Sequence, residues 1–272
     1  MKKKNYLISG VTLVEILIAI VIASIMMMAL FTSYNVINNS YSQVSDRAGI
    51  NRVNRNVLSM MLKDIRMAGY SDVDAQRFAD SSIQPILITK DDSDCDSITI
   101  VYGDRVLVSG AMEFPLYQIT YECKNSKIPD MKKAKDQQGN RDALDLFAIY
   151  KSKRKWSEDS SNWLDPATDS DQATYPASLV VDYVEDLILN PIDDKGNIIT
   201  PTPSVAVNSD MLEKIKAIDI GLILRSTEEF YRNNKARTAF SLNETDRNKV
   251  VNDKFLRDTI VVTAYARNIG TD

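Results

Sequence analysis

The chain opens with a short lysine-bearing segment and then turns abruptly apolar. Residues 1–10 carry Lys2, Lys3 and Lys4, and Val11-Thr12-Leu13-Val14-Glu15 follows. From Ile16 to Phe31 only Ser24 interrupts the apolar run with a polar group. Read as a helix rising about 1.5 Å per residue, 11–31 is long enough to cross the hydrocarbon core of a bilayer. Three lysines ahead of the run, with no acid among them, predict a cytoplasmic N-terminus and an exported remainder. An ordinary secretory signal would need a small-residue cleavage site after its apolar segment. The stretch Met26-Met27-Met28-Ala29-Leu30-Phe31 offers none.

Past Phe31 the pattern changes period. Val44, Ala48, Ile50, Val53, Val57, Met60, Met61, Ile65 and Ala68 recur mostly at two- to four-residue steps. Between them stand Asn51, Arg52, Asn54, Arg55, Asn56, Lys63, Asp64 and Arg66. That is the pattern of an amphipathic helix with one face on a core. Gly69-Tyr70-Ser71 supplies its C-terminal stop. One helix over 11–68 would be roughly 85 Å long. Asn38-Asn39-Ser40 would loosen it at the membrane exit.

Beyond residue 70 the β-branched and aromatic runs predict strands over 83–89, 97–102, 105–109, 116–123, 143–150, 179–189, 215–225 and 259–266. Gly103-Asp104 reads as a two-residue hairpin turn between the second and third. Asp193-Asp194-Lys195-Gly196-Asn197 reads as another turn, and 210–214 as a short helix. The stretches 129–142, 151–176 and 226–256 read as polar loops. The organisation expected is therefore a leader at 1–10, a long helix at 11–69 and one β-rich globular domain at 70–272. The fold class is α+β.

Composition narrows the chemistry. The 272 residues include no histidine, which removes Ser-His and Cys-His nucleophile pairs and the commonest metal ligand. None of the nine glycines forms a phosphate-cradling loop. No enzymatic activity and no cofactor are expected. Loss of the leader lysines takes Lys+Arg from 33 to 30 against 37 acids, so the side chains sum to −7. An acidic body has no general attraction for nucleic acid, and none is expected as a partner.

Three features stay open on residues alone. Cys95 and Cys123 are the only cysteines, either paired, as is usual in an exported domain, or buried as thiols. Pairing would stabilise by roughly 3–4 kcal/mol on chain-entropy grounds. Trp156 and Trp163 sit in a polar stretch, either as exposed binding anchors or tucked onto the core. Asp91-Asp92-Ser93-Asp94-Cys95-Asp96 is either a solvated acidic turn or a calcium loop without EF-hand spacing. Glu15 differs from these: a carboxylate in a membrane segment costs several kcal/mol and so marks function.

Gly10-Val11-Thr12-Leu13-Val14-Glu15 resembles the class III leader of type IV pilins and type II secretion pseudopilins. The resemblance implies cleavage between Gly10 and Val11 by a prepilin peptidase and N-methylation of Val11, where most of the family has Phe. It also implies that Glu15 meets the Val11 amine of a neighbouring subunit during assembly. Met61-Leu62-Lys63-Asp64-Ile65-Arg66-Met67-Ala68-Gly69-Tyr70 resembles a stretch of PilW-type minor pilins. So does the ending Phe255 to Asn268, while the middle of the chain has no counterpart. The implied fold is type IV pilin-like: a long N-terminal helix, transmembrane then amphipathic, packed on an antiparallel sheet. The implied role is a minor pilin that primes pilus assembly and rides in the tip complex. Its implied partners are other minor pilins, the major pilin, the prepilin peptidase, the inner-membrane assembly platform and a tip adhesin. The implied location is the inner membrane, with the C-terminal domain in the periplasm, and then the pilus tip. The alternatives are a J-type pseudopilin of type II secretion, a pilus-displayed adhesin or DNA-binding module, and a plain signal-anchored envelope protein.

Overall fold

Alternating apolar positions fold most of the described residues beyond 82 into strands, and the computed structural model describes residues 11–70, 83–90, 95–108, 111–131, 133, 135, 139–169, 173–199, 214–231, 233–239, 242 and 247–269. One long helix, α1 (Leu13–Met67), precedes them. The strands are β1 (Ile86–Thr89), β2 (Ser97–Gly103), β3 (Val106–Val108), β4 (Ala111–Glu113), β5 (Leu116–Asn125) and β6 (Phe147–Ser157). Then come β7 (Asn162–Trp163), β8 (Tyr175–Ile192), β9 (Ala217–Glu229), β10 (Lys235–Ala239), β11 (Lys249–Asp253) and β12 (Phe255–Tyr265). The chain divides into two units, one ending at Ala48 and one beginning at Gly49.

In the second unit the main sheet runs β1-β2-β5-β6-β8-β9-β12, with β7 paired to β6. All its neighbours are antiparallel. β8 serves two partners in turn. Its first half, to Val184, pairs with β6, and its second half, from Val184, pairs with β9. The switch coincides with a register shift between Val184 and Asp186 and with a left-handed backbone at Tyr183 (φ 60°). Such a bulge bends a strand and raises its local twist. Beyond it, Asp96 takes up part of the edge that β6 vacates. Its N–H donates to the Leu187 carbonyl (2.8 Å), and its side chain accepts from the Leu189 N–H (2.8 Å). Cys95, beside it, is disulfide-bonded to Cys123 of β5 with the Cα atoms 5.8 Å apart.

The second half of α1 lays one stripe on this sheet. Asn54, Val57, Leu58, Met61, Asp64 and Ile65 are its buried positions, followed by Ala68. These steps of one, three and four residues define a single helical face. They meet Ile86, Ile98, Ile100, Tyr121, Ile149 and Leu187 in one core. Burying a side chain the size of Leu58, Met61 or Ile65 stabilises by roughly 1.5–3 kcal/mol each. The stripe corrects the sequence reading in two ways. Leu58 belongs to it, whereas Val44, Val53 and Met60 are exposed. Asn54 and Asp64, read there as polar-face residues, are buried.

Other elements also differ from expectation. The helix runs unbroken through Asn38-Asn39-Ser40. The Ser40 hydroxyl donates to the Val36 carbonyl (2.9 Å), so that group needs no break in the helix to find a partner. Gly103-Asp104 is not a hairpin turn between β2 and β3. Gly103 is the last residue of β2 and pairs with Leu116, and its N–H donates to the Tyr70 carbonyl (2.6 Å). β3 pairs instead with β4, as an arm inserted between β2 and β5. Much of 151–176 and 226–256 is strand rather than loop. β6 runs on to Ser157, β8 starts at Tyr175, and β10 pairs with β11. The turn at Asp193 is present, with Gly196 at φ 82° and the Asp193 carboxylate accepting from the Asn197 N–H (2.7 Å). Residues 91–94 and 210–213, which carry most of the acidic run and of the expected short helix, lie outside the described residues.

Candidate functional site

From Leu13 to Ser45, α1 is a helix surface with one charge. Between Leu13 and Ser45, Glu15 is the only ionisable acid or base other than two tyrosines. α1 contains a window apolar and long enough to cross a membrane, and none of that window is buried within the chain. Its hydroxyls turn inward. Ser24 donates to the Ile20 carbonyl (2.7 Å) and Thr32 to the Met28 carbonyl (2.9 Å). Both hydroxyls are thereby satisfied within their own helix, as an apolar surrounding requires.

Glu15 is held by the helix start. Thr12 is the N-cap: its hydroxyl accepts the Glu15 N–H at 3.3 Å. The Glu15 carboxylate returns to accept the Thr12 N–H (2.8 Å) and the Thr12 hydroxyl (3.0 Å), both through Oε2. This reciprocal arrangement is a capping box. It closes two amide N–H groups that would otherwise lack partners, and it sets the carboxylate at the positive end of the helix dipole. Among the described residues Glu15 makes no ion pair. Val11 is exposed beside it, and Gly10 lies outside the described residues. Thr12 is a functional position that the sequence reading passed over. The signal was present as Thr-x-x-Glu ahead of an apolar run.

At its other end the helix is locked to the sheet by the residues of the second motif. The Asp64 carboxylate accepts the Tyr121 hydroxyl (2.5 Å) and pairs with the Lys151 ammonium (2.7 Å). Lys151 also stands 5.3 Å from the centre of the Tyr121 ring. Burial, with the Asp64 charge and hydrogen bond added, holds the Tyr121 phenol far above its ordinary pKa. Gly69 closes the helix in the left-handed region (φ 74°), and its N–H donates to the Val101 carbonyl (2.9 Å). Asn268 donates from its side chain to the Arg66 carbonyl (3.3 Å). The two segments picked out by resemblance, 61–70 and 255–268, therefore meet in space.

Trp156 and Trp163 face each other edge to face at 5.1 Å, both half-buried against Ile83, Val101 and Leu116. Among the described residues no group of three or more His, Cys, Asp or Glu could hold a metal.

No family model and no curated protein matches the chain. Among solved structures, a type IV-like pilin from Thermus thermophilus superposes with a TM-score of 0.50 at 11% sequence identity. The match covers 82% of this chain and 97% of that one. The fold is thus type IV pilin-like: a long N-terminal helix whose second half packs on an antiparallel sheet.

Proposed function

We propose that the chain is a minor pilin: a non-catalytic subunit that enters a type IV pilus through its N-terminal helix and helps prime assembly at the tip. The observation that carries this reading is Glu15, the one charge between Leu13 and Ser45 on an apolar, unburied stretch of helix, in a chain with a type IV pilin-like fold. In this reading residues 1–10 are a leader removed after Gly10. Val11 becomes the methylated first residue of a helix over 11–69, and 70–272 is the periplasmic domain.

The capping box gives that proposal a mechanism. In the free subunit Thr12 engages the Glu15 carboxylate. On docking, the Val11 amine of a neighbouring subunit takes that position. A carboxylate left without a cation in an apolar filament interior is costly, so the pair selects the axial register. Other pilins, the prepilin peptidase and the inner-membrane assembly platform are the partners this requires.

Intact mass and N-terminal sequencing of the chain extracted from its native membrane test the processing. A chain starting at Val11 with one added methyl supports the proposal. A chain that retains the leader overturns it. Co-purification with pilus components, as against secretion components, separates the pilus subunit from a J-type pseudopilin.

A further inference from the structure

A lysine, an asparagine and an aspartate from three separate stretches converge in the interior of the globular domain. Lys90 follows β1, Asp96 precedes β2, and Asn190 lies in the second half of β8. The Lys90 ammonium donates to Asn190 Oδ1 at 2.7 Å and lies 3.0 Å from Asp96 Oδ2. The Asp96 side chain is fully buried, Asn190 is 2% exposed, and the Lys90 side chain is 11% exposed.

An ion pair alone would account for Lys90 and Asp96. The same ammonium also holds a side-chain amide, whose carbonyl carbon lies one bond beyond the contacting oxygen. Every partner in the cluster is fixed. Asp96 Oδ1 accepts Arg247 Nη1 (2.7 Å), and Oδ2, which also accepts the Leu189 N–H (2.8 Å), faces Lys90. Cys95, next in the chain, is tied to β5 by the disulfide. Asn190 Nδ2 donates to the Leu242 carbonyl (3.2 Å), which orients the amide with its oxygen toward the lysine. Leu242 can lie there because residue 221 is glycine: a Cβ at Gly221 would stand 3.1 Å from the Leu242 Cβ.

We propose that Lys90 and Asn190 form an intramolecular isopeptide bond, assisted by Asp96. The Lys90 ammonium and Asp96 Oδ2 are 3.0 Å apart in a buried site, so a proton can pass from Nζ to the carboxylate without leaving the cluster. The neutral amine attacks Asn190 Cγ. The Nζ–Cγ bond forms, the Cγ–Nδ2 bond breaks, and the amide nitrogen leaves. Asp96 Oδ2 hands the lysine protons to that nitrogen, which departs as ammonium. Asp96 ends as the carboxylate it began as, still paired with Arg247. No oxidant, reductant or cofactor takes part. Fixed geometry supplies what a slow amide exchange lacks in solution, because the ammonium and the amide are already held together by a hydrogen bond. The product is a second covalent clamp beside the disulfide, tying the chain after β1 to β8. It would resist extraction of either strand under pulling. The inference does not depend on the pilin reading.

The test is intact mass of the purified full chain, followed by proteolysis and peptide sequencing by mass spectrometry. The expected result is a mass about 17 Da below that of the same processed chain, the loss of one ammonia. A branched peptide joining Lys90 to Asn190 accompanies it, and trypsin does not cut after Lys90. Lys90→Arg keeps the cation on Asp96 but has no amine, so it restores the full mass without removing the ion pair. Asn190→Ala also restores it. A wild-type chain at full mass with an unlinked Lys90 peptide overturns the inference. So does a deficit that persists in Asn190→Ala, which would place the ammonia loss elsewhere.

Discussion

A Cβ built on Gly69 would stand 2.9 Å from the backbone carbonyl oxygen of Asn268 and 3.1 Å from Ile269 Cγ1. The same residue sits at φ 74°, where a side chain is strained whatever the space. Gly69→Ala therefore meets two penalties, one conformational and one steric. The expected cost is on the order of 1–3 kcal/mol. Equilibrium denaturant unfolding of the detergent-solubilised chain reads it, and a change within error would show that the helix end is not held by the C-terminal segment.

Asp64 gives a sharper test of how the helix is fixed to the sheet. Removing it by Asp64→Ala strands the Lys151 ammonium in a nearly dry site, and breaking a buried pair costs roughly 3–5 kcal/mol. Lys151→Met added to Asp64→Leu removes both charges and keeps apolar volume. The double variant is expected to recover most of the loss, because the desolvation of both ions is relieved. Tyr121 keeps its ring packing in both, so the same unfolding measurement isolates the charge pair. Equal destabilisation in the single and double variants would show that shape, not charge, makes the contact.

The sheet edge carries a pH-dependent element. Arg257 grips Asp253 with Nη1 at 2.9 Å and Nη2 at 2.7 Å, and it reaches Glu185 with Nη2 at 2.9 Å. Burial pushes the Asp253 carboxyl up, but the Arg257 hydrogen bonds and charge outweigh it and leave the group below its ordinary value. A depressed carboxylate pKa contributes stability that is present above the unfolded value, near 3.8, and is lost as pH falls through the lower folded value. Arg257→Met removes that gain. The acid limb of the unfolding curve below about pH 4 is expected to be shallower in the variant than in the wild type. Overlapping limbs would show that the pair contributes nothing.

Much of this architecture is legible in the residue pattern, and the failures share a cause. The apolar run, the three- and four-residue steps after it and the Gly69 stop are local signals, and α1 follows from them. Asn54 and Asp64 were misplaced because their residue types are polar while their positions, 54 and 64, fall on the same helical face as Val57, Met61 and Ile65. For Asp64 the missing information is Lys151 and Tyr121, far along the chain. Gly103-Asp104 failed for the same reason: the bond from the Gly103 N–H to the Tyr70 carbonyl decides the pairing, and no local turn rule contains it. β6 was cut short because Lys151, Lys153 and Lys155 break the apolar alternation. Two of those lysines lie over tyrosine rings, with Lys153 3.9 Å from the centre of Tyr117, so the strand continues under a charged sequence. The buried cluster of Lys90, Asp96, Asn190 and Arg247 draws on three distant stretches, and of its members only Asp96 stands out in the sequence, as the end of the acidic run.

At the N-terminus the capping box separates two roles that a single substitution would confuse. Glu15→Ala removes both the cap and the charge, and Glu15→Gln keeps a side chain able to accept the Thr12 N–H while removing the charge. Loss of a capping interaction costs about 0.5–2 kcal/mol and frays the first turn. If Glu15 serves only the helix start, Glu15→Gln behaves like the wild type. If it pairs with a neighbour's amine, Glu15→Gln and Glu15→Ala both enter the membrane, are both cleaved after Gly10 and both fail to enter filaments. Thr12→Ala provides the converse: it loosens the cap but leaves the carboxylate free for the amine, so incorporation is expected to persist. Quantifying each variant in sheared pilus fractions against its membrane pool reads these outcomes directly. Normal incorporation of Glu15→Gln would remove the ion pair from the assembly mechanism and leave Glu15 as a helix cap alone.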